Sequence, residues 1–69
     1  MNETNELILK YISEDKSLQD MSKILNFSSR QIFQRVKYLK SLGYNLQEKY
    51  YSDGAIKYKL KRRLILPNN

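Results

Sequence analysis

The stretch Ser28–Gly43, SSRQIFQRVKYLKSLG, predicts a helix with a signal at each end. Ser28 and Gln31 have the S-x-x-Q spacing of a capping box, in which each side chain bonds the backbone N–H of the other residue. Gly43 supplies the left-handed residue that commonly ends a helix. Together these signals predict a helix over residues 29–42.

The two sides of this predicted helix differ in chemistry. At 100° per residue, Ile32, Val36 and Leu39 fall on one side, with Leu42 at its edge. Five residues fall on the opposite side: Arg30, Phe33, Gln34, Lys37 and Ser41. Guanidinium and amide groups can each make two hydrogen bonds to a base edge in the DNA major groove. The face therefore fits either a helix that reads DNA or an ordinary solvent-exposed helix.

Length and composition narrow the class of protein. A chain of 69 residues forms one small domain. Because it has no cysteine and no histidine, disulfides, the usual zinc ligands and most triad or metal-dependent catalysis are excluded, so we expect neither an enzyme nor a cofactor. No apolar run approaches the roughly 20 residues of a membrane-spanning helix, and no signal peptide opens the chain. We therefore expect a cytoplasmic protein without a membrane partner.

The net charge of +6 is unevenly distributed along the chain. Residues 1–20 contain two basic and five acidic residues, a net charge of −3, whereas residues 21–69 contain eleven basic and two acidic residues, a net charge of +9. This asymmetry predicts that the second part of the chain meets an anionic partner. DNA, RNA and an anionic membrane surface all qualify at this point.

Residues 3–14 are predicted to form the first helix. Leu7, Ile8, Tyr11 and Ile12 have the spacing of one buried face. Leu9 falls away from the centre of that face and is either a partly exposed edge residue or part of a dimer contact. The first helix therefore offers one face to the core and one candidate for self-association.

Residues 18–25 are predicted to form a second helix, after Ser17 and Asp20 as a variant capping box. Four apolar residues form its expected inner face: Leu18, Met21, Ile24 and Leu25. Residues 16–18 could also form a brief extended segment. Asn26 is a candidate for a left-handed turn residue, and the short turn before the third helix has the spacing of a helix-turn-helix.

Two strands, 46–51 and 55–60, are predicted around the loop Ser52-Asp53-Gly54. A three-residue loop of this kind combines a type I turn with a left-handed glycine and fixes the strand register. It places Leu46, Glu48 and Tyr50 opposite Leu60, Tyr58 and Ile56, and it places Gln47 and Lys49 opposite Lys59 and Lys57. Like charges across a strand pair are destabilising, so nearby phosphates are one explanation and protection of a sheet edge is the other.

The order of helix, helix-turn-helix and hairpin resembles the winged helix-turn-helix domains of bacterial regulators. The run Leu25–Ile32, followed by Val36, Leu39 and Leu42-Gly43-Tyr44, resembles the "LGVSRRTV…LGY" pattern of biotin-ligase repressors and of DeoR- and YafY-type regulators. The segment Gly54–Leu60 is similar to the wing strand of the biotin repressors. The resemblance implies a mainly α, α+β fold of three helices with a β-hairpin wing.

The resemblance covers roughly residues 5–62 and implies a domain over residues 1–63 with a tail over residues 64–69. It also implies a set of DNA-binding residues: Ser28, Ser29, Arg30, Gln31, Phe33, Gln34, Lys37, Lys49, Lys57 and Lys59. Arg30 and Gln34 are the expected readers of guanine and adenine edges. Further phosphate contacts are expected from Lys40, Arg62 and Arg63.

The chain departs from the resembled pattern at three places. Asn26 replaces the usual turn glycine, and Phe33 stands where a polar residue is common. The wing tip, Tyr51–Gly54, has no Arg or Lys to enter a minor groove. We therefore expect the wing to contact the DNA backbone rather than to read bases.

These observations predict a double-stranded DNA-binding transcriptional regulator of the small kind that phages and mobile elements carry. Because one small domain covers few base pairs, we expect a homodimer or a cooperative array. The candidate contacts are Leu9 and the apolar Leu64–Leu66, and no small-molecule effector is indicated. The alternative is a protein-docking module with an acidic partner, anchored by Phe33 and Tyr38.

Overall fold

The computed structural model describes residues 2–61. Three helices precede a two-stranded antiparallel sheet: α1 Glu3–Ser13, α2 Leu18–Leu25, α3 Ser29–Ser41, β1 Leu46–Tyr50 and β2 Ile56–Leu60. This confirms the predicted α+β fold class, with a winged-helix-like arrangement. Arg62, Arg63 and the predicted tail over residues 64–69 lie outside the described residues.

Helix α3 has the predicted signals at both ends. Ser28 Oγ accepts a hydrogen bond from Gln31 N at 3.1 Å, and Ser28 N donates to Gln31 Oε1 at 2.8 Å. At the other end, Gly43 has a φ of 109°, a left-handed region that a glycine adopts without a Cβ clash. Gly43 N then bonds Lys40 O and Tyr44 N bonds Leu39 O, the pair of hydrogen bonds of a Schellman motif. The helix is therefore fixed in length by its own sequence.

Helix α2 and the turn after it orient α3. Ser17 and Asp20 form the predicted capping box, with both reciprocal hydrogen bonds present. Asn26 has a φ of 57° and so is the left-handed residue of the turn. Phe27 follows it and packs partly buried against the core. The helix-turn-helix thus closes without the usual turn glycine.

All three helices and both strands contribute to one hydrophobic core. Its buried residues are Ile8, Ile12, Leu18, Met21, Ile32, Val36, Leu39, Leu46 and Tyr58. The three α3 residues have no solvent-exposed surface. The centre of the apolar side of α3 is therefore fully covered, whereas Leu42 at its edge is 50% exposed and the opposite side is left to solvent.

Two predicted core positions are wrong. Leu7 is 37% exposed, because the buried face of α1 follows the i, i+3, i+4, i+7 spacing of Asn5, Ile8, Leu9 and Ile12. Leu9 lies partly buried against the core at the edge of that face. Ile24 is also wrong, since it is 48% exposed on α2.

The hairpin has the predicted register, from Leu46 opposite Leu60 to Tyr50 opposite Ile56. Its loop closes through hydrogen bonds from Tyr51 N to Ala55 O and from Gly54 N to Tyr51 O. The predicted extended segment before α2 is also present, because Ser17 forms an antiparallel bridge with Lys57. The hairpin is therefore attached to the helices along β2.

The Tyr58 hydroxyl is buried without a hydrogen-bond partner among the described residues. Its burial, with a smaller contribution from the charge of Glu48, raises the pKa of Tyr58 to about 12. An unpaired buried hydroxyl loses its bonds to water and gains none in return. Tyr58 thus stabilises the core through its ring alone.

We expect Tyr58→Phe to leave the free energy of unfolding unchanged or to raise it by up to about 1 kcal/mol, because it removes the unpaired hydroxyl. Urea denaturation measures this change. Tyr50→Phe is the matched control, since that ring is 72% exposed and its hydroxyl reaches water. A loss of more than about 1 kcal/mol in Tyr58→Phe alone would show that the hydroxyl has a partner.

Candidate nucleic-acid interface

The exposed side of α3 brings together the residues predicted for DNA binding on this helix. Eight residues are solvent-exposed along it: Ser29, Arg30, Gln31, Phe33, Gln34, Lys37, Tyr38 and Ser41. Helix α3 contains no acidic residue. Its outer side is therefore a cationic surface with amide groups between the charges.

Two cations on this side have no carboxylate partner among the described residues. The ion pairs of residues 2–61 within 4.0 Å involve Lys40, Lys57 and Lys59, and neither Arg30 nor Lys37 takes part in one. Lys37 Nζ instead lies 5.8 Å from the centroid of the Phe33 ring, one helical turn away. The Phe33 ring thus supports Lys37 by a cation–π contact and remains 39% exposed.

Ser28 and Gln31 are partly occupied by the capping box. Ser28 Oγ and Gln31 Oε1 each accept a backbone hydrogen bond. The Ser28 hydroxyl proton and the Gln31 NH₂ group remain for a ligand. Both residues can therefore serve as donors to an anion while they cap the helix.

Two of the wing lysines, Lys57 and Lys59, have an internal counter-ion. Lys57 Nζ lies 2.9 Å from Asp15 Oδ2, and Lys59 Nζ lies 3.7 Å from Asp15 Oδ1. Asp15 reaches them because it adopts a left-handed conformation, with φ of 64°, just after α1. This carboxylate is a third explanation, besides phosphates and edge protection, for the lysines that face each other across the hairpin.

The contact between Asp15 and Lys57 shifts the pKa of both side chains. The hydrogen bond from Lys57 holds the pKa of Asp15 below its ordinary value of 3.8. The same hydrogen bond raises the pKa of Lys57 above 10.5. Both groups therefore stay charged across the physiological pH range.

A side chain of helix α2 also bonds the backbone of the wing. Gln19 Nε2 donates to Gly54 O at 2.9 Å, and Gln19 Oε1 accepts from Ile56 N at 3.2 Å. At the wing tip, Asp53 Oδ1 accepts from Ala55 N. Lys49 is exposed on β1, and Lys40 pairs with Glu48 at 3.8 Å. The wing therefore has a fixed position relative to α2.

Sequence reasoning missed Arg35, which lies on the flank of α3. Arg35 Nη1 donates to Asn5 Oδ1 at 3.3 Å, and the guanidinium lies 5.1 Å from the Phe27 ring centroid. These contacts border an open cavity of about 440 Å³, which is also lined by Tyr38 and by four amide side chains. The sequence signal for this contact is Asn5, a polar residue at a core position of α1, which needs a hydrogen-bond partner when it is buried.

Residues 2–61 provide neither a membrane span nor a metal site. No helix there is long and apolar enough to cross a membrane. No group of three or more acidic, cysteine or histidine side chains there could hold a metal ion.

Three helices, an antiparallel hairpin and an exposed cationic face on the third helix define a winged-helix-like domain. Searches against protein-family models, curated proteins and solved structures found no match to this chain.

We expect Asp15→Asn to destabilise the domain most between about pH 5 and pH 9, where Asp15 and Lys57 are both charged. The difference from the wild type shrinks as the pH falls below 3.8 through the lowered pKa of Asp15, because the carboxylate is then protonated. It also shrinks as the pH rises above 10.5 through the raised pKa of Lys57.

Thermal denaturation over this pH range tests that expectation. Asparagine tolerates the left-handed conformation at position 15, so the backbone is unaffected. Glu14→Gln is the control, since no ion pair among the described residues includes Glu14. A difference between Asp15→Asn and the wild type that stays constant with pH would contradict a contribution from the charges.

Proposed function

We propose that this domain binds double-stranded DNA and regulates transcription, with α3 in the major groove and the β1–β2 wing on the phosphate backbone. The observation that carries the proposal is the outer side of α3, which is exposed, cationic and free of acidic residues. Groups that face a polyanion need positive charge and hydrogen-bond donors. This side of α3 has both.

Arg30 and Gln34 are the proposed base-reading residues. They lie one helical turn apart and are both exposed. An arginine can bond guanine O6 and N7, and a glutamine can bond adenine N6 and N7. Two such side chains in register on one helix can discriminate between neighbouring base pairs.

Phosphate contacts are proposed for Lys37 on the helix and for the wing lysines. Asp15 pairs with Lys57 and Lys59, whereas Lys49 is exposed and has no carboxylate within 4.0 Å among the described residues. No arginine or lysine stands at the wing tip between Tyr51 and Gly54. The wing thus attracts the backbone without reading bases.

Protein docking is the second candidate function, and two exposed aromatic rings favour it. Phe33 is 39% exposed and Tyr38 is 53% exposed on α3. Exposed aromatic residues commonly act as anchors in protein interfaces. The cationic surroundings would then require an acidic partner.

We expect Arg30→Ala to weaken binding to a selected duplex by about 1–3 kcal/mol and to reduce discrimination against random DNA, because the variant loses a bidentate base contact. Fluorescence anisotropy measures both, with the duplex selected from a randomised library and titrated at several salt concentrations. Specific DNA should bind on the order of a thousandfold more tightly than random DNA.

Lys10→Ala is the matched control, because it also removes one positive charge but lies on α1. Equal binding of selected and random duplexes by the wild type would overturn sequence-specific regulation. Loss of a protein partner in Phe33→Ala, together with trivial duplex binding, would favour the docking function instead.

A further inference from the structure

The cavity beside Arg35 is lined mainly by side chains with N–H donor groups, together with the aromatic Phe27 and Tyr38. Asn2 Oδ1 already accepts from Asn5 N at 2.9 Å, and Asn5 Oδ1 accepts from Arg35 Nη1. Gln31 Oε1 accepts from Ser28 N. Because these three oxygens are bonded to backbone N–H groups and a guanidinium, the NH₂ groups of the amides are left to face a ligand.

Arg35 adds a positive charge that no neighbouring carboxylate compensates. The residues that line the cavity include no aspartate or glutamate. Among the described residues, the only hydrogen-bond partner of the guanidinium is the neutral side-chain amide of Asn5, which is 3% exposed. The guanidinium carbon also lies 5.1 Å from the centroid of the Phe27 ring, within the range of a cation–π contact. A held guanidinium with free N–H groups suits the tetrahedral oxygens of a phosphate.

The position of the cavity on α3 indicates which phosphate it meets. At 100° per residue, Gln34 lies about 40° from Arg30, and Arg35 lies about 100° further around the helix. Gln34 therefore belongs both to the exposed face and to the lining of the cavity. A helix about 10–12 Å across fills a groove about 12 Å wide, so its flanks meet the phosphates at the groove edge.

We propose that this cavity binds a phosphate of the DNA backbone at the edge of the major groove, with Arg35 neutralising the phosphate and the amides of Asn2 and Asn5 beside it. This inference rests on the proposed function and adds to it a specific phosphate-binding position. The site holds α3 at a fixed depth and rotation, so that Arg30 and Gln34 reach the base edges.

Two variants test the site, and both lower the net charge by one. Arg35→Gln removes the guanidinium. Asn2→Asp places a carboxylate in the cavity but keeps the oxygen that caps α1, because aspartate and asparagine are equally good N-caps. Lys10→Gln is the control with the same charge change, at the other end of α1.

The measurement is the salt dependence of binding to the selected duplex, followed by fluorescence anisotropy. In each cavity variant, the slope of log K against log salt should fall by about 0.9, the value for one phosphate contact. Affinity should fall roughly tenfold, as for one charge-assisted hydrogen bond. The preference for the selected duplex over random DNA should persist in part, and Lys10→Gln should leave the slope unchanged.

A purely structural role of Arg35 gives a different result. In that case Arg35→Gln lowers the urea midpoint, while Asn2→Asp binds DNA with the wild-type slope and affinity. That combination would overturn the proposal. Slopes unchanged in both variants would overturn it as well.

A second experiment distinguishes a phosphate of the DNA backbone from free phosphate, and it does not depend on DNA binding. Inorganic phosphate is titrated at constant ionic strength, and the side-chain amide resonances of Asn2 and Asn5 are followed by NMR. The proposal is supported if phosphate shifts these resonances, if Arg35→Gln abolishes the shift, and if the DNA-binding slopes change as expected.

If phosphate shifts the resonances but the DNA-binding slopes do not change in the variants, the cavity binds free phosphate and not a phosphate of the DNA backbone. If the wild type binds no duplex, the proposed function fails, and this titration alone decides whether the cavity binds phosphate. The absence of a response together with unchanged slopes would overturn the site entirely.

Discussion

Burial of one side of α3 is the constraint on which the rest of this domain depends. Ile32, Val36 and Leu39 are completely buried among residues of α1, α2 and the hairpin. A 69-residue chain has a stability of only a few kcal/mol, so it cannot lose many such contacts. Because the apolar side is fixed in this way, the opposite side of α3 is presented to solvent on a rigid support.

Long-range polar contacts then place the hairpin and α1 around α3. Gln19 bonds the wing backbone, and Asp15 pairs with Lys57 over a sequence separation of 42 residues. Arg35 bonds Asn5 over a separation of 30 residues. Exposed ion pairs contribute little to stability, so the main effect of such contacts is on geometry. They fix which surfaces lie side by side.

The difference between local signals and long-range contacts explains how much of the structure the sequence predicts. Capping residues and apolar periodicity act locally and predict the three helices and the turn at Asn26. The three-residue loop Ser52-Asp53-Gly54 is also a local signal, and it predicts the strand register. The errors at Leu7 and Ile24 arise where a helix has apolar residues on more than one side, so that only tertiary contacts decide which face is buried. The contacts of Asp15 and Arg35 escape a local reading of the sequence, because they join distant side chains and only the polar Asn5 at a core position of α1 hints at one of them. The exposed face of α3 could be predicted, whereas the cavity beside it could not.

Between α3 and the wing, the ion pairs leave more uncompensated positive charge on α3. Lys57 and Lys59 pair with Asp15, and Lys40 pairs with Glu48 on β1. Among the described residues, Arg30, Arg35 and Lys37 on α3 and Lys49 on the wing have no carboxylate within 4.0 Å. A polyanion is attracted most strongly where positive charge is uncompensated. Association would therefore begin at α3, and Lys57 and Lys59 of the wing would meet the backbone only in competition with Asp15. In such an arrangement, the helix determines position and the wing contributes a weaker attraction that limits rotation.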